Sequence, residues 1–76
     1  MNLWNLSAQN SAQIQGFDDS LTLAQKTRLQ DLGFVVGENV LCVRQLPFSS
    51  PRVYQVQSAV YAVEKELAEK VIVHPL

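Results

Sequence analysis

The chain is 76 residues long, 47% hydrophobic and 17% charged, and its six basic and seven acidic side chains leave a formal net charge of −1. That length holds one small domain with a thin core, because a chain of this size hides only about 60% of its unfolded surface. The ordinary apolar fraction excludes a disordered chain, and the missing basic surplus argues against a partner gripped through its phosphates.

Leu3, Trp4 and Leu6 suit a short docking turn ahead of a polar patch. Ala12-Gln13-Ile14-Gln15-Gly16-Phe17 then alternates small or apolar with polar side chains, the period of a half-buried strand. Gly16 allows a close approach or a bulge there. Asp18-Asp19-Ser20 breaks the strand, and a helix over about residues 22–32 follows. Thr22 and Gln25 have the spacing of a capping box, and the two aspartates precede the positive end of the helix dipole. Leu21, Ala24, Leu29 and Leu32 share one sector at 100° per residue, with Leu23 outside it. Gly33 suits the left-handed residue that ends a helix, which places Phe34 to fold back on Leu29 or its neighbours.

Gly37-Glu38-Asn39 reads as a turn, and Asn39 to Leu46 as a strand with Val40 and Cys42 on one face and Leu41 and Val43 on the other. The run from Leu46 to Pro51, with two prolines and two serines, is a loop. Val53–Val56 and Ala59–Val63 form a hairpin around Gln57-Ser58, with Tyr54 and Tyr61 paired across it and half-buried. Glu64 to Lys70 makes a short helical turn (about 64–70), with Glu66 and Lys70 ordered for an i,i+4 pair. Val71-Ile72-Val73 is a last strand, stopped by Pro75. Five short strands, one helix and one helical turn point to a mainly β fold, a small partly open barrel. Its most intolerant positions should be Leu29, Leu32, Phe34, Val40 and Val43.

Motifs for chemistry are sparse. The lone Cys42, inside the apolar run Val40–Val43, reads as a buried hydrophobe, and one cysteine permits no internal disulfide. His74, beside Pro75 near the C-terminus where fraying is expected, is the single histidine, and none of the six serines sits in a G-x-S-x-G setting. Gly16, Gly33 and Gly37 match no phosphate loop. Asp18, Asp19 and Glu38 complete the possible metal donors with Cys42 and His74, and no two nitrogen or sulfur donors show zinc-type spacing. The chain therefore reads as a binding protein, with no catalytic residue, cofactor or metal. The absence of a signal peptide or long apolar run makes the cytoplasm its expected place.

The aromatics mark where a partner would touch. Phe17 and Phe34 flank the helix and read as core. Phe48, between Pro47 and Pro51 in a polar loop, is the candidate exposed anchor, its other role being a lid over the open end of the barrel. Arg52, with Arg44 and Lys65, would add rim charges that steer association. The expected partner-binding set is thus Pro47, Phe48, Pro51 and Arg52.

The stretch from Arg28 to Gly37, a helix ending in R-L-x-x-L-G-F and then x-x-G before a valine-rich strand, resembles the FeoA family of ferrous iron transport proteins. Leu3, Leu6 and Ala12–Phe17 look like the family's opening L-x-x-L and A-x-I-x-G-F, and the proline-bounded loop, hairpin, helical turn and terminal strand follow in the family's order. The chain departs from the family at loops: Val36-Gly37 stands where Pro-Gly is common, Pro47-Phe48-Ser49-Ser50-Pro51 where P-L-G-D-P is, and Ser58-Ala59 where Gly-Tyr is frequent. Glu64 replaces a frequent arginine. The resemblance implies one SH3-like domain over residues 1–76. It further implies a stand-alone cytosolic accessory that works with the FeoB-type ferrous iron transporter by binding its cytosolic part. Related domains end metal-dependent repressors of the diphtheria-toxin-repressor type, so the alternative is an SH3-like interaction module that serves a metal-dependent regulator or another partner.

Overall fold

The computed structural model describes residues 1–45, 47 and 51–76. After a 3-10 turn at Leu3–Asn5 come strand β1 (Ser11–Phe17), helix α1 (Leu23–Leu32), β2 (Asn39–Arg44), β3 (Arg52–Val56), β4 (Ala59–Val63), the one-turn helix α2 (Lys65–Ala68) and β5 (Val71–Pro75). The strands form one antiparallel sheet in the order β4-β3-β2-β1-β5, so β4 and β5 are its edges and the sheet is not closed. This is the partly open arrangement implied by the strand count.

α1 begins where the sequence places it. The Thr22 hydroxyl accepts the Gln25 N–H at 3.1 Å and the Gln25 side chain accepts the Thr22 N–H at 3.0 Å, closing the capping box. Removing the hydroxyl in Thr22→Ala is expected to cost about 1 kcal/mol, the usual worth of such a cap. The check is a lower urea midpoint at unchanged slope. At the other end Gly33 adopts φ 108°, and the N–H groups of Gly33 and Phe34 donate to the carbonyls of Gln30 (3.0 Å) and Leu29 (2.9 Å). This paired closure turns Phe34 into the core. A second left-handed glycine, Gly37 at φ 96°, takes the third position of the turn closed by the Glu38 N–H on the Val35 carbonyl at 3.1 Å.

The core joins the 3-10 turn to both faces of the helix-to-sheet contact. Leu3, Ile14, Leu29, Phe34, Val40, Cys42, Tyr54, Val56, Val71 and Val73 are each at most 2% exposed. Two expected core positions, Leu32 and Val43, are only half-buried. Leu32 walls a cleft between α1 and β4, and Val43 sits where the β2–β3 register shifts between Cys42 and Arg44. Ala24, assigned to the apolar sector of α1, is exposed, as is Leu23 at 80%. The helix meets the core through Leu29, with Leu32 packed beside it and Leu21 buried just ahead of the Thr22 cap, and its first turn faces outward. Phe17 is also half-buried rather than core, with the Lys26 ammonium 5.7 Å from its ring centre.

Tyr54 and Tyr61 do face each other across β3 and β4, but unequally. Tyr54 is fully buried and its hydroxyl donates to the Leu3 carbonyl at 3.2 Å. Tyr61 stays half-buried and tilts against Phe34 with ring centres 6.2 Å apart. The β1–β5 register shifts between Ile14 and Gly16, so Gly16 serves a bulge; nothing lies within 4 Å of where its Cβ would be. α2 ends at Ala68, too early to hold Lys70 for a helical pair with Glu66. The Lys70 ammonium instead donates to the Ser20 hydroxyl at 2.6 Å. That hydroxyl and the Ser20 N–H both donate to Asp18, at 2.6 and 2.9 Å, and hold its carboxyl below the usual range. β5 runs on through His74 and Pro75, which pair with Gln13 and Ala12, so the histidine lies in the sheet and not in a frayed end.

Candidate partner-binding surface

The surface is built from three elements far apart in sequence. In the 3-10 turn, the Asn2 side chain accepts the Asn5 N–H at 3.1 Å, while Leu3 and Leu6 are buried. Anchored on both sides, Trp4 lies half-buried at the surface. β3 opens with Arg52, whose guanidinium carbon is 4.0 Å from the centre of the Trp4 ring and whose Nη1 donates to the Trp4 carbonyl. α2 opens with Lys65, whose ammonium lies 6.0 Å from the same ring centre. An indole face attracts a cation through its quadrupole. Here one ring gathers two.

Of the four residues expected to meet a partner, Pro47 and Pro51 are exposed and Arg52 is half-buried on Trp4. Phe48 lies outside the described residues. Trp4 was expected only as part of a docking turn and Lys65 only as one of several rim charges; the structure joins both to Arg52. Trp4 and Arg52 are 48 residues apart, and no local pattern reports their meeting. It follows from tertiary packing, in which the 3-10 turn lies against β3 through the Arg52 and Tyr54 side chains. Arg44 is exposed and is paired with Val53, next to Arg52.

The titratable groups elsewhere point to packing. Burial raises the pKa of the Cys42 thiol, which contacts the Arg44 carbonyl at 3.9 Å, so this sulfur is held protonated. Burial also drives the Tyr54 phenol well above its ordinary range; the neighbouring Cys42 adds to the rise and Arg52 opposes it. Among the described residues no three His, Cys, Asp or Glu side chains are placed to share a metal ion. No helix among the described residues is long and apolar enough to cross a membrane. The chemistry available at the Trp4 stack is recognition: an indole covered by one guanidinium, with a second cation beside it, offers clustered positive charge that suits an acidic group.

The family profile of the FeoA domain matches residues 1–75. In structure the chain is similar to a FeoA of Stenotrophomonas maltophilia, an SH3 domain protein complexed with zinc and put forward as an activating factor of bacterial ferrous iron transport. The two are 33% identical over 96% of this chain and 88% of that one, at a TM-score of 0.84. A FeoA protein from Chlorobium tepidum is 28% identical, covering all of this chain and 70% of that one, at a TM-score of 0.89. A manganese-dependent transcriptional repressor shares the fold over 100% of this chain and 41% of its own length, at 13% identity and a TM-score of 0.88. No curated protein matches the chain in sequence. The SH3-like architecture expected from the resemblance is thus the one observed.

Proposed function

The chain belongs to the FeoA family, and from that premise we propose that it is a cytosolic, non-catalytic accessory of bacterial ferrous iron uptake that binds the cytoplasmic part of a FeoB-type GTPase transporter. The observation that carries this reading is the family match through residues 1–75, on a fold shared with the Stenotrophomonas protein at 33% identity. The half-buried Trp4–Arg52–Lys65 stack supports it, because its two cations suit an acidic protein surface. Pro47, Phe48, Pro51 and Arg52 are the proposed contact residues, with Trp4 and Lys65 added. An accessory of this kind acts by biasing its partner's conformational equilibrium, which requires different affinities for the partner's two states.

The test is a titration of the chain with the transporter's soluble GTP-binding domain and with the intact transporter. Arg52→Glu is expected to weaken binding about tenfold, or roughly 1.4 kcal/mol, and to flatten its salt dependence. A folded Arg52→Glu protein that binds as before moves the contact to another face. Silence from both forms of the transporter up to about 1 mM defeats the proposal and leaves an interaction module for some other regulator.

A further inference from the structure

Sheet edges carry unpaired backbone donors and acceptors, and folded proteins blunt them with charges, prolines or covering segments. This sheet treats its two edges differently. At β5 the Val73 N–H donates to the Met1 carbonyl at 2.9 Å, Asn2 bridges Ile72, and Pro75 ends the strand. β4 reads Ala59-Val60-Tyr61-Ala62-Val63, without a charge or a proline. Beyond the two-residue turn at Gln57-Ser58, bonded and non-bonded pairs alternate. Ala59, Tyr61 and Val63 therefore bond to β3, and the N–H and C=O of Val60 and Ala62 point away from it. Both side chains are exposed, Val60 at 55%.

α1 runs beside this edge. A Cβ on Gly33, at its C-terminal end, would lie 3.1 Å from the Gln57 side chain at the hairpin tip. One turn back, Leu29 and Leu32 form one wall of a cleft of about 220 Å³ whose other wall is Ala62, Val63 and Leu67. Arg28 stands at the helix side of that cleft and Glu64 at the strand side. We propose that the cleft and the β4 edge receive an extended segment of another protein, added as a sixth strand outside β4. Its apolar side chain enters the cleft, and it carries an acid toward Arg28 and a base toward Glu64. Main-chain bonds would supply affinity and the cleft specificity, as in strand addition generally. The cleft adjoins the Trp4 stack, since Val63 pairs with Arg52 and α2 carries both Lys65 and Leu67, but the inference does not depend on the transporter reading.

A second copy of the chain fits less well. Antiparallel β4 pairing centred on Tyr61 sets Glu64 of one copy against Ser58 of the other, so Glu64 meets no base across that pairing. A pairing of five residues, roughly 17 Å long, also falls well short of the roughly 1,200 Å² that stable dimers bury.

The experiment selects short linear peptides from a displayed library on the whole protein and synthesises the binders. Expected binders have an apolar centre flanked by an acid and a base, and they slow hydrogen exchange at the Val60 and Ala62 amides at least about tenfold. Val60→Pro removes one outward donor without touching the β3 ladder and is expected to weaken these binders about tenfold or more. Arg28→Glu, on the exposed face of α1, should reverse one selected position from acid to base, and it decides the matter if the proline variant fails to fold. An unenriched library, or binders that protect other amides and ignore both variants, overturns the proposal. So does a dimer at millimolar concentration that Val60→Pro dissolves, which would give the edge to a second copy.

Discussion

Tyr54→Ala is expected to leave the chain largely unfolded at 37 °C. The ring is fully buried at the middle of β3 and is the largest of the fully buried side chains. Truncating a buried aromatic to alanine costs about 3–5 kcal/mol, and here the Leu3 carbonyl also loses its donor. A domain of this size has only about 4–11 kcal/mol in total, at the usual stability per residue, so the loss takes a large share of it. The same hydroxyl ties the 3-10 turn to the sheet, and the turn should detach before the strands do. Thermal melts with amide spectra check this. A midpoint lowered by less than about 5 °C, the shift expected for roughly 1 kcal/mol in a small domain, would refute it. Tyr54→Phe separates the two contributions: it keeps the ring and forfeits only the bond to Leu3, at about 1 kcal/mol.

The buried phenol also fixes how stability responds to alkali. Burial holds the folded pKa of Tyr54 above the value in the unfolded chain, where tyrosine titrates near pH 10. Its contribution is therefore fully present below about pH 10. Above that the unfolded chain loses the proton first and stability falls. Cys42, raised by burial as well, begins the same decline lower, from about pH 8.5. Urea unfolding followed from pH 8 to 11 should show this slope, reduced in Tyr54→Phe and reduced further when Cys42→Ala is added. A slope identical in all three proteins would place the alkaline sensitivity elsewhere.

How far the sequence reveals this molecule depends on the range of the interactions that decide each feature. The capping box of Thr22 and Gln25, the glycine stop at Gly33 and the two-residue hairpin at Gln57-Ser58 each lie within a few residues of backbone, and all are legible as written. The sector of α1 is less so. Ala24 and Leu29 look alike in a periodic pattern, yet only Leu29 is buried, because burial depends on what stands opposite. Lys70 reaches Ser20 and not Glu66 because α2 stops after one turn, a stop without a proline or glycine to announce it. The Trp4–Arg52–Lys65 stack is hidden altogether, being assembled by tertiary packing from three separate segments. So is the bare edge of β4: its uncharged strand is plain in the sequence, but its position at the edge belongs to the topology.

Gly33→Val is expected to be the most damaging change at a turn, at about 2–3 kcal/mol. Left-handed backbone costs a β-branched residue of order 1–3 kcal/mol, and Gly33 holds φ 108° in order to close α1 and aim Phe34 inward. A chain that escapes the strain by changing φ breaks the bonds from Gly33 and Phe34 to the last turn of α1. It then withdraws from the core an aromatic ring that is 0% exposed. A second contribution comes from space, because the new Cβ would lie 3.1 Å from the Gln57 side-chain oxygen. Gln57 is exposed and can swing aside, so the backbone contribution should dominate. Chemical denaturation of three variants separates the two. Gly33→Asn, whose side chain tolerates the left-handed region, should lose markedly less than Gly33→Val. Adding Gln57→Ala to Gly33→Val should restore little. Full rescue by Gln57→Ala would mean that crowding, and not the left-handed turn, is what reserves this position for glycine.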